Sequence, residues 1–348
     1  MSDKMVSLKR ELVGLAISRG AVRTRVANLE MLKGPPSADP TYVLAEAQSV
    51  IAFAVPLGKE WIPDYLRKVT RMVFKRVMYE KYQLIGAIGQ EIIEHLQKRG
   101  FRAVSPSPNG VYRPEVSEPG FAVPDFSHRY AALASGLGTL GWSGNVLIRG
   151  RWAATFLGSV VTDAVLPPDV PLEEKLCDDC RMCANVCPLR FINPKESQSV
   201  ILGGRKYVCS KKGNHMRCGL ACGGYVGISR DGKWSSWATL RYEVPDDDSQ
   251  LIDVFMRTVE DPASSYIRGH LFFKGARKAS MPPGRGVLAR SLEDTNPTCC
   301  HCALVCSGPR EWRMKLMRLL HSSGAVVRLE DGTEKAVKPE ELEVMFPR

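Results

Sequence analysis

No apolar stretch in this sequence is long enough to cross a membrane. The longest, Trp152 to Val161, falls far short of the roughly 18–20 residues that a span requires. The opening residues, Met1-Ser-Asp-Lys-Met-Val-Ser-Leu-Lys-Arg10, contain neither a hydrophobic signal core nor a twin-arginine pair. A cytoplasmic protein with no membrane partner is therefore expected. Acidic residues are the scarcer charge: 37 Asp and Glu stand against 48 Lys and Arg, a formal net charge of +11. Such an excess suits an anionic partner such as RNA, an acidic redox protein or a phosphorylated cofactor, and equally a solvated basic surface. The remaining composition, 44% hydrophobic and 24% charged over 348 residues, is that of a globular chain with one large domain or two moderate ones.

Cysteine is what the chain has in quantity. Eleven cysteines in a cytoplasmic chain argue for metal ligation rather than disulfides. Cys177-Asp-Asp-Cys180-Arg-Met-Cys183-Ala-Asn-Val-Cys187-Pro188 is the C-x2-C-x2-C-x3-C-P run of bacterial ferredoxins. Two-residue gaps let three thiolates wrap one face of a 4Fe–4S cubane while the fourth turns to a second cluster. Pro188 fixes the backbone as it leaves. A zinc site would call for two separated ligand pairs instead.

A second set, Cys299-Cys300-His301-Cys302-Ala-Leu-Val-Cys306, supplies three ligands through Cys299, Cys302 and Cys306. The ferredoxin crossing rule then joins Cys306 to Cys177, Cys180 and Cys183, and joins Cys299 and Cys302 to Cys187. The second cluster lacks one ligand, for which Cys209, Cys218 and Cys222 are candidates. Cys209 is preferred because it follows the first motif at short range, with Cys218 or Cys222 as the alternative. Thiols left over read as buried small hydrophobes.

Ahead of the first cysteine the pattern mixes helices and strands. Leu8 to Ile17 reads as an amphipathic helix, and Ser49 to Val55 as a buried strand ended by Pro56. Ile85, Ile88, Ile92 and Leu96 keep helical spacing, with Gly100 as a stop. A strand over Phe101–Val104, a Pro/Gly/Ser-rich loop from Ser105 to Pro124 and a helix over Ser127–Ser135 follow, then a strand within Trp152–Thr162. Such an order suits an α+β domain over residues 1–170, with a cluster module over 171–310 behind it. Residues 311–348 add a helix over Pro309–His321 and a hairpin over Val326–Val337 turning at Asp331-Gly332.

Between helix and strand lies Gly136-Leu-Gly138-Thr-Leu-Gly141-Trp142-Ser143-Gly144-Asn145. The run is not a dinucleotide fingerprint, because a helix and not a strand precedes it. Taken alone it reads as a tight turn; it could also let the backbone approach a flat or phosphorylated ligand.

Asp125-Phe-Ser127-His128-Arg129-Tyr130, this glycine run and the ferredoxin run about thirty residues on resemble, in order and spacing, the epoxyqueuosine reductase and reductive dehalogenase superfamily. The resemblance covers roughly residues 40 to 310. It implies a nitroreductase-like α/β core that binds base-off cobalamin, and an appended ferredoxin-like module with two 4Fe–4S clusters. By that analogy Gly136, Gly138, Gly141, Trp142, Ser143, Gly144 and Asn145 lie against the corrin, and Asp125 is the proton donor. The alternative for Asp125 is the N-cap of the helix that follows. Tyr130 and Tyr112 are candidate donors of the dehalogenase kind.

The resemblance also implies a low-potential donor of ferredoxin or flavodoxin type and a small-molecule or tRNA-borne substrate. Departures include the missing twin-arginine signal, the missing helical-repeat extension, and Ser307 where a closing proline is usual. The stretch from Pro262 to Leu292 carries six Lys/Arg and no acid, and could meet RNA phosphates, a cofactor's phosphate tail or an acidic donor. A non-catalytic two-cluster electron carrier, or a same-fold enzyme with flavin or no cofactor in the cobalamin site, are the competing readings.

Overall fold

A computed structural model describes residues 3–108, 112–117, 123–261, 292 and 297–345. The basic 262–292 stretch falls outside the described residues except for Leu292. Among the described residues, no helix is long and apolar enough to cross a membrane.

An unbroken apolar run makes the central strand. β2 (Ser49–Pro56) is buried along its length up to Pro56. It pairs antiparallel with β1 (Arg23–Asn28) on one side and β6 (Thr155–Thr162) on the other, and β3 (Ala103–Val104) closes the sheet beyond β6. Alternation sends the side chains of β2 to opposite faces. Ile51, Phe53 and Val55 meet Leu8, Leu12 and Ala16 of α1 (Asp3–Ser18) and Ile85, Ile88, Ile92 and Leu96 of α3 (Met72–Gln97). On the other face Val50, Ala52 and Ala54 meet Ala131–Ala134 of α4 (His128–Ala134). A sheet covered on both faces accounts for the continuous hydrophobicity of its middle strand. The sheet is antiparallel throughout and the chain mixes helix and strand, as an α+β reading expects.

Past β6 the chain builds the cysteine-rich part. α5 (Met182–Asn185) lies inside the first motif. It is followed by the antiparallel ribbon of β7 (Ile192–Leu202) and β8 (Arg205–Lys212), which turns at Gly203-Gly204, both at positive φ. α6 (His215–Cys222) and α7 (Leu251–Glu260) come next, then α8 (His301–Val305) inside the second motif. α9 (Arg310–His321) and the β9–β10 hairpin (Ala325–Arg328, Glu334–Val337) follow at the places that the sequence pattern indicates, before α10 (Pro339–Met345). α2 (Ile62–Leu66), from the first half, packs into one core with Met182, Val186, Leu304, Leu316 and Leu320.

Candidate active site and cluster positions

All eleven cysteines are free thiols, and ten of them fall into two adjoining groups. In the first, Cys183 lines one cavity with Cys177, Cys180 and Cys306 and is within electrostatic reach of them and of Cys302 in the adjoining group. Left-handed residues, Asp179 (φ 53) and Arg181 (φ 59), bend the backbone between these cysteines so that short gaps bring them together. The four line one small cavity with Trp142 and Arg313. Burial first, then the neighbouring thiols, push the Cys183 thiol up. Burial likewise pushes Cys306 up to about 12, although Arg313 opposes it. Thiols in such surroundings become thiolates when a cation shares the site. The Trp142 N–H points at the Cys177 Sγ (3.4 Å), and the Arg313 guanidinium donates to the Cys180 Sγ (3.4 Å). Arg313 is fixed in turn by both carboxylate oxygens of Asp178, at 2.9 and 2.6 Å.

The second group gathers Cys187, Cys218, Cys222, Cys299, Cys300 and Cys302. The Phe191 N–H donates to the Cys187 Sγ (3.2 Å), and the Asn145 amide lies 3.6 Å from the Cys302 Sγ. N–H groups aimed at sulfur are the partners that tune thiolate ligands of an iron–sulfur cluster. Among the described residues no group of His, Cys, Asp or Glu is drawn in tightly enough to hold a single metal ion. The ligands of a four-iron cubane stand apart by the width of the cube. Donor type, N–H···S contacts and convergence therefore suit two such clusters.

Cys209 is apart from both groups. It sits on β8, buried in the core between the four-stranded sheet and α4, beside Tyr130 and Tyr207. It lies within electrostatic reach of the Tyr130 hydroxyl and the Lys212 ammonium.

The glycine-rich run forms a small hairpin, β4 (Thr139–Leu140) and β5 (Val146–Leu147), with Gly141–Asn145 as its tip. This tip faces the cysteines through the Trp142 backbone N–H and the Asn145 side-chain amide, while the Arg181 guanidinium lies over the Trp142 ring at 3.1 Å. A Cβ at Gly136 (φ +71) would lie 2.1 Å from the Val170 carbonyl oxygen, and one at Gly138 2.5 Å from that of Leu147. The close approach signalled by these glycines is to the protein's own backbone. Gly144 (φ +80) lies beside Lys212 and Arg129. Gly141, Trp142 and Ser143 line the small cavity of the first cysteine group. A separate cavity of about 380 Å³ lies between α3 and Ala103–Pro108, lined by none of the candidate residues.

Asp125 is 1% exposed. Its carbonyl accepts two bonds from Arg113, at 3.0 and 3.2 Å, and its carboxylate accepts the Phe126 N–H at 2.7 Å. Burial and then the Asp125 charge push the Tyr112 hydroxyl up, which puts these two groups near one another. The cap of α4 is Ser127, whose Oγ accepts the Tyr130 N–H (3.4 Å), so Asp125 does not cap that helix. Tyr130 is half-buried against the core beside Cys209. His128, with Nδ1 bonded to the Ser159 hydroxyl, is held neutral by burial, its pKa lowered to about 4.

Sequence reasoning passed over three groups near the thiols. Arg313 lies in an amphipathic helix with nothing to mark it. His301 is fully buried between two cysteines, its pKa lowered to about 3 by burial. Lys68 is buried with its ammonium on the Leu66 carbonyl and the Ser323 hydroxyl, its pKa lowered to about 7.

No model of a known protein family matches the chain. It is 25% identical over 153 residues to an epoxyqueuosine reductase of Bacillus anthracis, a match covering 43% of this chain and 37% of that one. Among solved structures, an epoxyqueuosine reductase bound to an epoxyqueuosine-modified tyrosine tRNA stem loop aligns at TM-score 0.42 and 17% identity, over 65% of this chain and 60% of that chain. A catabolic reductive dehalogenase in complex with 3-bromo-4-hydroxybenzoic acid aligns at TM-score 0.46 and 18% identity, over 60% and 28%. Both the curated relative and these solved structures are reductive enzymes, and the chain shares their mixed helix and strand content. The chain is thus similar to epoxyqueuosine reductases and reductive dehalogenases, and it spans little more than a third of the curated relative's length.

Proposed function

We propose that the protein is an iron–sulfur reductase, with a ferredoxin-like module over residues 171–310 holding two 4Fe–4S clusters and a nitroreductase-like core over residues 1–170 holding the electron acceptor. The observation that carries this reading is the meeting of Cys306 with Cys177, Cys180 and Cys183 across more than a hundred residues of sequence. That meeting supports the crossed ligation of ferredoxins.

When bound, the clusters supply single electrons at low potential. The chain's own residues hold the thiolates and offset their charge: Trp142, Phe191 and Asn145 donate N–H groups, and Arg313 adds a cation. By the resemblance, Asp125 is assigned the role of proton donor. Its burial, 1% exposed, shields it from bulk water, as a proton donor at a closed site requires. Tyr130 and Tyr112 are the alternative donors. The net charge of +11 suits docking of an acidic ferredoxin or flavodoxin. The substrate is a small molecule or a modified base carried on tRNA, in line with the relatives.

Anaerobic protein should hold about eight iron and eight sulfide per chain. Four iron after full reconstitution would end the two-cluster reading. The acceptor implied by the resemblance is cobalamin, and a visible spectrum recorded after cobalamin addition and desalting tests it. Persistent cobalt bands support it, and cluster bands alone leave flavin or a carrier role. Reduction of epoxyqueuosine, free or in tRNA, with a low-potential donor then tests the substrate class.

A further inference from the structure

Six thiols surround the second cluster position, and a cubane takes four. Backbone geometry sorts them. The two motifs are built alike: Cys180-Arg181-Met182-Cys183 enters α5 through left-handed Arg181 (φ 59), and Cys299-Cys300-His301-Cys302 enters α8 through left-handed Cys300 (φ 58). Cys187 and Cys306 follow at the same interval. Cys300 thus corresponds to Arg181, a residue that makes the turn and is no ligand. The first motif opens with Cys177, and Asn296 stands at the matching place in the second. One thiolate must come from elsewhere.

α6 is pinned to that spot. The Thr298 hydroxyl, next to Cys299, meets the carbonyls of Ala221 (2.7 Å) and Cys222 (2.9 Å). Leu220, Ala221 and Cys222 share an apolar core with Cys299. The Cys222 thiol lies 3.7 Å from that of Cys218, with the Cys299 and Cys300 thiols beside it. Cys187 and Cys302 lie within electrostatic reach of the same pair. Cys209 packs instead with Ala131–Ala134 and Tyr130 in the core between the four-stranded sheet and α4.

We propose that one turn of α6, Cys218–Cys222, and not Cys209, supplies the fourth thiolate of the second cluster, beside Cys187, Cys299 and Cys302. The inference rests on the two-cluster reading. Iron binding displaces the thiol proton to solvent, with no change of oxidation state.

Iron, sulfide and electron paramagnetic resonance of anaerobically reconstituted variants test it without any activity assay. Cys209→Ala should keep about eight iron. The double variant Cys218→Ala/Cys222→Ala should drop to about four, or to about seven with a three-iron signal. An unchanged first-cluster signal in the double variant shows that it has folded. A double variant that keeps about eight iron overturns the assignment, as does loss of iron from Cys209→Ala with the double variant intact. Wild-type protein with only one cluster's iron would mean failure of the underlying reading instead.

Discussion

One substitution separates the backbone contact of buried Asp125 from its proposed proton delivery. Its carboxylate accepts the Phe126 N–H, which asparagine would also do through its amide oxygen, whereas only the acid can deliver a proton. Asp125→Asn should keep iron content and melting temperature and lose turnover by about 10²–10⁴-fold in the low-potential reductase assay. Full turnover in the variant would remove Asp125 from the chemistry. The helix cap lies at Ser127, where Ser127→Ala should cost about 1 kcal/mol in a denaturant melt. Arg313 offers a second test at this scale. Its side chain, 6% exposed, puts a cation and an N–H on the Cys180 sulfur. A reduced cluster carries one more negative charge than an oxidised one, so a nearby cation favours reduction. Arg313→Gln should lower the potential of the first cluster in a redox titration while iron stays at about eight. An unchanged potential would separate Arg313 from the cluster.

Elements with a strong period were legible in the sequence, and those without one were not. β2, β6, α1, α3 and α4 lie where apolar spacing and the Pro56, Gly100 and Ser127 boundaries indicate. The β7–β8 ribbon has no such pattern, since β7 exposes most of its middle and alternation needs a buried face. Its one signal was Gly203-Gly204. α6 was hidden by its shortness, with Asn214 as a cap that could have marked it. The preference for Cys209 followed from sequence distance, which says little about where a ribbon and a short helix carry their thiols. The glycine run announced a close approach but not its object. Gly136→Ala tests that object: with φ +71 and the Val170 oxygen 2.1 Å from the added carbon, it should lower the melting temperature and the yield of folded chain. Iron per folded chain should hold. Normal stability with selective loss of a bound cofactor would instead make Gly136 a ligand contact.

At the scale of the whole molecule, the two cysteine groups lie where distant parts of the chain are tied together. The Tyr65 hydroxyl from the first half donates to the Cys299 carbonyl (3.1 Å), and the Trp237 indole donates to the Tyr65 carbonyl (3.1 Å). The Ala153 N–H meets the Cys306 carbonyl (2.8 Å). Leu57, Tyr65, Leu66 and Phe74 share a core with Val186, Leu304, Leu316 and Val326. Clusters that join the two motifs would therefore brace α2 and the start of α3 as well as the cysteines. Because ligands bind iron only when assembled, binding free energy becomes folding free energy. Oxidative removal of the clusters with a chelator should then lower the melting temperature of the main transition. In hydrogen exchange, amides of residues 62–74 should lose protection together with those of 182–187 and 301–306, while the β2–β6 pair stays protected. If residues 62–74 kept full protection in the iron-free protein, the first half would be stable without the cysteine module. Electron entry and substrate chemistry would then sit on separately folding parts.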